Sequence, residues 1–155
     1  MKMIFSQLAL LLFLCSALFP QVPPDREDLL NGNEGKNGFT AEINNFPSPK
    51  TVLSLASTLK LTSGQKSRIT DIYNATVTRA KQLGKEIVQI ENELHRAFQA
   101  RIINEKSAAD DAQQIGRLRG RLRGVFLTAR IKTRNVLDES QIEMYKKLQG
   151  EVKKK

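Results

Sequence analysis

From residue 51 to the end the chain contains no proline, and apolar residues recur at helical spacing. Ile69, Tyr73, Thr76, Ala80, Leu83, Ile87, Ile90, Leu94 and Ala97 step by alternating fours and threes. That rhythm lines them along one stripe, as in a heptad seam. Ile72 and Phe98 widen the stripe. The spacing predicts a helix of roughly 35 residues, about 50 Å long at 1.5 Å per residue. A second seam follows a turn expected near residues 103–106. It comprises Ala108, Ala112, Ile115, Leu118, Leu122, Val125, Phe126, Ala129 and Val136. Ser107 is expected to cap this second helix, with Asp110 and Asp111 in its first turn, where negative charge suits the helix dipole. Two long seams joined by a short turn predict an all-α fold, a long antiparallel helical hairpin with short flanking helices.

Shorter signals frame the hairpin. Val52, Leu53, Leu55, Ala56 and Leu59 make residues 51–60 a small amphipathic helix. Leu61-Thr62-Ser63-Gly64-Gln65 then carries a capping box: the Thr62 hydroxyl accepts from an orphan amide and Gln65 reaches back to the cap. Leu137-Asp138-Glu139-Ser140-Gln141 repeats that pattern, with Asp138 as cap and Gln141 three residues on. A last helix with Ile142, Tyr145 and Leu148 apolar is expected to run to about Gln149, before Gly150 and a basic tail, residues 151–155, ending in three lysines.

The first 50 residues differ in character. Residues 1–21 read as a secretory signal peptide. Lys2 is the positive n-region, residues 8–14 the apolar h-region and Cys15-Ser16-Ala17 a small-residue cleavage site. The apolar run is short for a membrane span of about 20 residues. Leu14 ahead of Cys15 departs from the small residue a bacterial lipobox wants, so a lipoprotein tether through Cys15 is disfavoured and the cysteine is expected to leave with the signal. A mature chain without cysteine suits an oxidising compartment. Residues 22–50 hold Pro23-Pro24, a Gly/Asn-rich run over 31–38 and Phe46-Pro47-Ser48-Pro49. This composition predicts a disordered linker that cannot offset its ordering entropy.

Charge sharpens the picture. The 155-residue chain carries a formal net charge of +9 with one Cys, one His and no Trp. Residues 22–50 hold five acids (Asp25, Glu27, Asp28, Glu34, Glu42) against three bases, so the excess sits in residues 51–155, with 21 bases and 11 acids. Such a balance favours an anionic partner. Seven bases and no acid lie between Ala112 and Leu137: Arg117, Arg119, Arg121, Arg123, Arg130, Lys132 and Arg134. On a helix the seam occupies one face. Gly116, Gly120, Gly124, Leu127 and Ile131 form a second strip opposite, edged by Arg123, Arg130 and Arg134 on one side, by Arg117 on the other, and by Arg121 and Lys132 beyond it. Each glycine inside a helix costs about 1 kcal/mol relative to Ala.

Two readings stand for this strip. It packs on the first or last helix of its own domain with the arginines solvated, or it is a shallow, cationic, partly apolar surface open to a client chain. Arginine suits the second, because its guanidinium pairs with carboxylates and its stem lies over apolar groups.

The export signal, the basic helical body and the paired Leu-Thr-x-x-Gln elements together resemble the Spy/CpxP family of bacterial periplasmic proteins. The first motif, Leu61, Thr62 and Gln65, matches fully. The second, Leu137, Asp138 and Gln141, departs at Asp138, which caps as well as Thr. The resemblance implies a cradle-shaped antiparallel homodimer. It also implies an ATP-independent chaperone or stress-response protein that binds unfolded or partly folded clients, or an inhibitor of an envelope-stress sensor kinase, or a metal-resistance relative. Client-binding residues would be Arg117, Arg119, Arg121, Arg123, Leu127, Arg130, Ile131, Lys132 and Arg134.

Other chemistry is weakly signalled. His95 follows Glu91 by four residues, a poor basis for a metal site. No nucleophile triad or phosphate loop is apparent, so neither catalysis nor a cofactor is expected. Arginine density fits phosphate neutralisation, yet export would separate the chain from nucleic acid.

Overall fold

The computed structural model describes residues 22–152. The expected signal peptide with Cys15, and the terminal lysines, lie outside the described residues. Among the described residues six helices follow in order: α1 (Arg26–Asn31), α2 (Phe39–Ile43), α3 (Pro49–Ser54), α4 (Ser63–Gln99), α5 (Glu105–Val136) and α6 (Glu139–Val152). The described residues contain no strand.

The two long helices dominate. α4 spans 37 residues and α5 spans 32, and they pack against each other along their length. Residues 71–83 of α4 share one groove with residues 121–132 of α5, whereas residues 86–93 share another with 111–118. The seam supplies the contact: Ala80, Leu83, Ile87 and Val88 meet Ile115, Leu118, Leu122 and Phe126 in one apolar cluster. Ala112, expected in the seam, is exposed. A second cluster sits at the far end from the turn, where Val52, Leu59, Ile69, Leu137, Ile142 and Tyr145 join α3, α4 and α6.

The two capping boxes form and lock each other. Thr62 Oγ1 accepts from the Gln65 amide at 3.2 Å, and the Thr62 amide donates to Gln65 Oε1 at 3.0 Å. Asp138 and Gln141 repeat this at 2.9 and 3.0 Å. The two carboxamides then face one another: Gln65 Nε2 donates to Gln141 Oε1 at 2.8 Å, and Gln141 Nε2 returns the bond at 3.0 Å. Their remaining hydrogens go to the carbonyls of Val136 and Leu59. Both side chains are buried. Each Nε2 makes two donor bonds and each Oε1 accepts two, so no polar valence is left unpaired in the interior. The internal repeat is therefore a two-part clamp that ties the start of α4 to the start of α6. Asp138 itself is exposed, and its carboxyl is held below the usual value by the Ser140 hydroxyl and by the Gln141 amide.

Four expectations require correction. Residues 22–50 are not a disordered linker. They form α1 and α2 and the start of α3, which opens at Pro49 under a Ser48 cap and ends at Ser54 rather than running through 51–60. The boundary at residue 51 therefore falls inside a helix. Leu29, Pro23, Pro47 and Ser48 are buried. α1 lies so close to α4 that a Cβ on Gly84 would clash with the Leu29 carbonyl oxygen. Composition underrated the segment because its partners lie far away in sequence. The turn between the long helices falls earlier than 103–106, with α4 ending at Gln99. The cap of α5 is Asn104, whose side chain accepts from the Ser107 amide at 3.0 Å; Ser107 is the reciprocal partner, not the cap.

Candidate functional site: two faces of the helical pair

Because an α-helix advances 100° per residue, the bases of α5 fall on different sides of the helix pair. Arg119, Arg123, Arg130 and Arg134 share one edge. Residues 22–47 lie across it. Arg130 Nε donates to Glu34 Oε1 at 2.6 Å and Nη2 to Glu34 Oε2 at 3.0 Å. The same guanidinium reaches Glu42 at 3.3 Å and the Phe46 carbonyl at 2.7 Å. Its side chain is only 6% exposed. Arg119 grips both oxygens of Asp25 at 2.7 and 3.1 Å and approaches Glu91 at 3.4 Å. Hydrogen bonding to Arg119 holds the Asp25 carboxyl below its ordinary value, against the opposing effect of partial burial. Arg123 donates to Thr40 Oγ1 at 3.2 Å. Arg134 lies 5.8 Å from the Phe46 ring centroid and 3.5 Å from Glu139.

The expected client-binding set therefore divides. Arg130 is buried and fully paired, and is removed from any accessible surface. Arg119 and Arg123 engage the chain's own acidic segment. Glu91, which the sequence placed beside His95, goes to Arg119 instead.

The opposite face of the helix pair is open. A groove of about 650 Å³ runs between α4 and α5, floored by Ile72, Leu83, Val125 and Ala129. Its rim carries Arg79, Arg121 and Lys132, with Asp71 as the single acid. None of these four forms an ion pair among the described residues; Arg79 bonds only to Gln82 at 3.1 Å. Arg117, at the edge of this face, bonds to Gln113 at 3.2 Å. A separate, smaller recess of about 220 Å³ lies between α4 and α5 beside Glu86, Glu93 and Asp111.

The glycine strip is not sealed beneath other segments of the chain. A Cβ at Gly116, Gly120 or Gly124 would meet nothing within 4 Å. Gly124 also lines the groove. Ile131 stays exposed and Leu127 half-buried. Sequence reasoning named Arg121 and Lys132 but missed Arg79 and Asp71, which stand about 40–60 residues earlier on α4. A signal was present: Ile72, Ala75, Arg79, Leu83 and Glu86 step by threes and fours, which sets Arg79 on the same row as Ile72 and Leu83.

Among the described residues no three His, Cys, Asp or Glu side chains converge to hold a metal ion, and no helix is long and apolar enough to cross a membrane. The arrangement offers shallow apolar area beside unpaired cations, which suits reversible binding of an acidic, partly apolar chain. No protein-family model, curated protein or solved structure matches this chain.

Proposed function

We propose that this protein is an ATP-independent binder of non-native polypeptide, a chaperone or stress-response protein of the bacterial periplasm like those the Spy/CpxP resemblance implies. In this reading α4 and α5 form an antiparallel hairpin whose open groove receives clients. The carrying observation is the contrast around α5. On one edge its arginines already hold an acidic, partly apolar segment, residues 22–47. On the other side Arg79, Arg121 and Lys132 flank an apolar floor with no acid to pair with beyond Asp71. The covered edge illustrates what chemistry the open one accepts: carboxylates for the guanidinium groups and apolar side chains for the floor. Exposed ion pairs are individually weak, so such clients bind loosely and remain free to fold.

The test is suppression of aggregation of an acidic unfolded client at equimolar protein, without nucleotide. Suppression is expected at low salt and less at high salt, since surface electrostatics are screened. Arg79→Glu, Arg121→Glu and Lys132→Glu together should abolish it while helicity by circular dichroism is kept. Undiminished suppression by the triple variant overturns the groove reading. Export is tested by fractionation with N-terminal sequencing of the mature chain; a cytosolic chain that retains Met1 removes the periplasmic assignment.

A further inference from the structure

We propose that the groove between α4 and α5 takes its partner as an amphipathic α-helix with an acidic flank, laid between them as a third helix. The inference rests on the reading of this groove as the binding surface, and adds the conformation and charge pattern of what binds.

Backbone chemistry separates a helical occupant from an extended one. The groove runs beside residues 71–83 of α4 and 121–132 of α5, about 18 Å at 1.5 Å per residue. An extended segment of that length holds roughly five residues, whose N–H and C=O groups need partners. The lining has few to give. The interiors of α4 and α5 spend their backbone groups on themselves. The Thr76 hydroxyl donates to the Ile72 carbonyl at 2.6 Å. Thr128 is then the one neutral polar side chain left in the described lining. The described residues contain no strand, so they offer no sheet edge for an extended chain to join. A helix arrives with its backbone already paired and needs only apolar contact and charge.

The walls suit such an occupant. Ile72 and Val125 are half-buried and line the groove, with the small, exposed Ala75 and Gly124 beside them. A Cβ on Gly124 would meet nothing within 4 Å. Packed helices stand about 8–10 Å apart, according to the side chains at the contact, and small ones allow the closer approach. The covered side of the molecule shows the same arrangement already filled. There α1 lies on α4, with Leu29 in the apolar cluster of Leu83 and Ile87 and its carbonyl against Gly84. Asp25, just ahead of α1, is held by Arg119 at 2.7 Å. The open groove offers the same receiving parts, with Gly124 in the role of Gly84 and Arg121 in that of Arg119.

Charge sets the register. The α5 wall carries Arg121 and Lys132 and no acid, whereas the α4 wall carries Arg79 and Asp71. Arg121 and Lys132 are eleven residues apart, which is about 16 Å along the axis and a turn of only about 20° around it. A helix alongside α5 rises at the same rate, so two acids eleven residues apart on one flank meet both cations. In an extended chain the same distance is about five residues, and that odd spacing puts the two side chains on opposite faces. Contact over about three turns is short, so the complex is weak and exchanges readily.

Fluorescence anisotropy with three labelled peptides of about 20 residues tests this. The first is an amphipathic helix of Leu and Ala with two Glu eleven residues apart beside its apolar face. The second has the same composition in shuffled order, and the third has Pro at its centre. The first should bind about tenfold tighter than the others and gain helicity by circular dichroism on binding. Arg79→Glu, Arg121→Glu and Lys132→Glu together should abolish binding. Lys132→Glu alone should weaken it about tenfold, and a peptide with Lys in place of one Glu should recover it. Gly124→Leu fills the groove where helix propensity improves, so it should cut binding about tenfold in a protein at least as stable.

Equal binding of all three peptides, lost in the triple variant, overturns the helical inference and leaves the client reading standing. So does suppression of aggregation without binding of any peptide. A helical peptide that binds undiminished to the triple variant and to the Gly124→Leu protein sits elsewhere and overturns the inference as well. The same holds if sedimentation shows a second copy in the groove, displaced by the triple reversal and not by peptide. Helical binding with all of these dependences but no suppression of aggregation sinks only the chaperone reading.

Discussion

Arg130 and Arg121 belong to one helix, nine residues apart, and differ chiefly in which side of the helix pair they face. Arg130 is wrapped by Glu34, Glu42 and the Phe46 carbonyl and has almost no contact with solvent. Arg121 stands on the rim of an open groove with no ion-pair partner among the described residues. Gly84 and Gly120 repeat the contrast in backbone terms. Against Gly84 the Leu29 carbonyl fits with no room for a methyl group, whereas Gly120 faces empty space. One face of the helical pair has been completed by its own chain, and the other has been left incomplete. A residue type that is structural on the first face is available for binding on the second.

The largest effect expected of any single change is on the covered face. Arg130→Ala removes a buried guanidinium and leaves the half-buried Glu34 without its partner, which should cost about 3 kcal/mol in urea denaturation, with new protease cuts in residues 33–46. Arg121→Ala, on the open face, should change stability by less than about 0.5 kcal/mol. Equal losses from the two would erase the distinction. Gly84→Ala comes next: its methyl group must push α1 off α4, at about 2 kcal/mol, read by the same denaturation curve. Gly120→Ala should act in the opposite sense and stabilise by about 0.8 kcal/mol, because helix propensity improves and nothing is struck. If that variant also binds acidic peptide less well, the glycine is kept for access rather than for folding.

The smallest effect concerns pH. Asp25 has a folded-state pKa lowered from 3.8 by Arg119. Its contribution is fully present above about pH 4 and is lost as pH falls through the lower, folded value. Both side chains are more than a third exposed, 43% and 37%, so solvent screening keeps the contribution below about 0.5 kcal/mol. Asp25→Asn should remove this part of the acid-induced loss and leave stability at neutral pH nearly unchanged. A large loss at pH 7 would mean that Asp25 supports the covered face in some way other than through its charge.

Local signals in the chain account for the elements that depend on near neighbours. The stripe from Ile69 to Leu94, the Thr62–Gln65 and Asp138–Gln141 caps and the acid-free basic stretch on α5 were each readable, because helix periodicity and capping act within four residues. The misplacement of the α5 cap at Ser107 is instructive: Asn104 and Ser107 are both good capping residues, and a three-residue reciprocal box can be entered from either end. The fate of residues 22–50 was not readable. Glycine, asparagine and proline density describes a chain's entropy, but not the guanidinium groups about 90 residues away that offset it.

Sequence alone thus determined that the chain is helical, where its two long helices lie, and that the second bears a dense cationic stretch. Periodic hydrophobicity and charge are one-dimensional properties and can be read in one dimension. Tertiary structure decided which arginines are structural and which face the groove, that the two capping glutamines bind each other, and that Arg79 and Asp71 join a groove with Arg121 and Lys132. Those outcomes depend on which side of a 3.6-residue turn each side chain meets, and on the partners that packing brings there from distant parts of the chain.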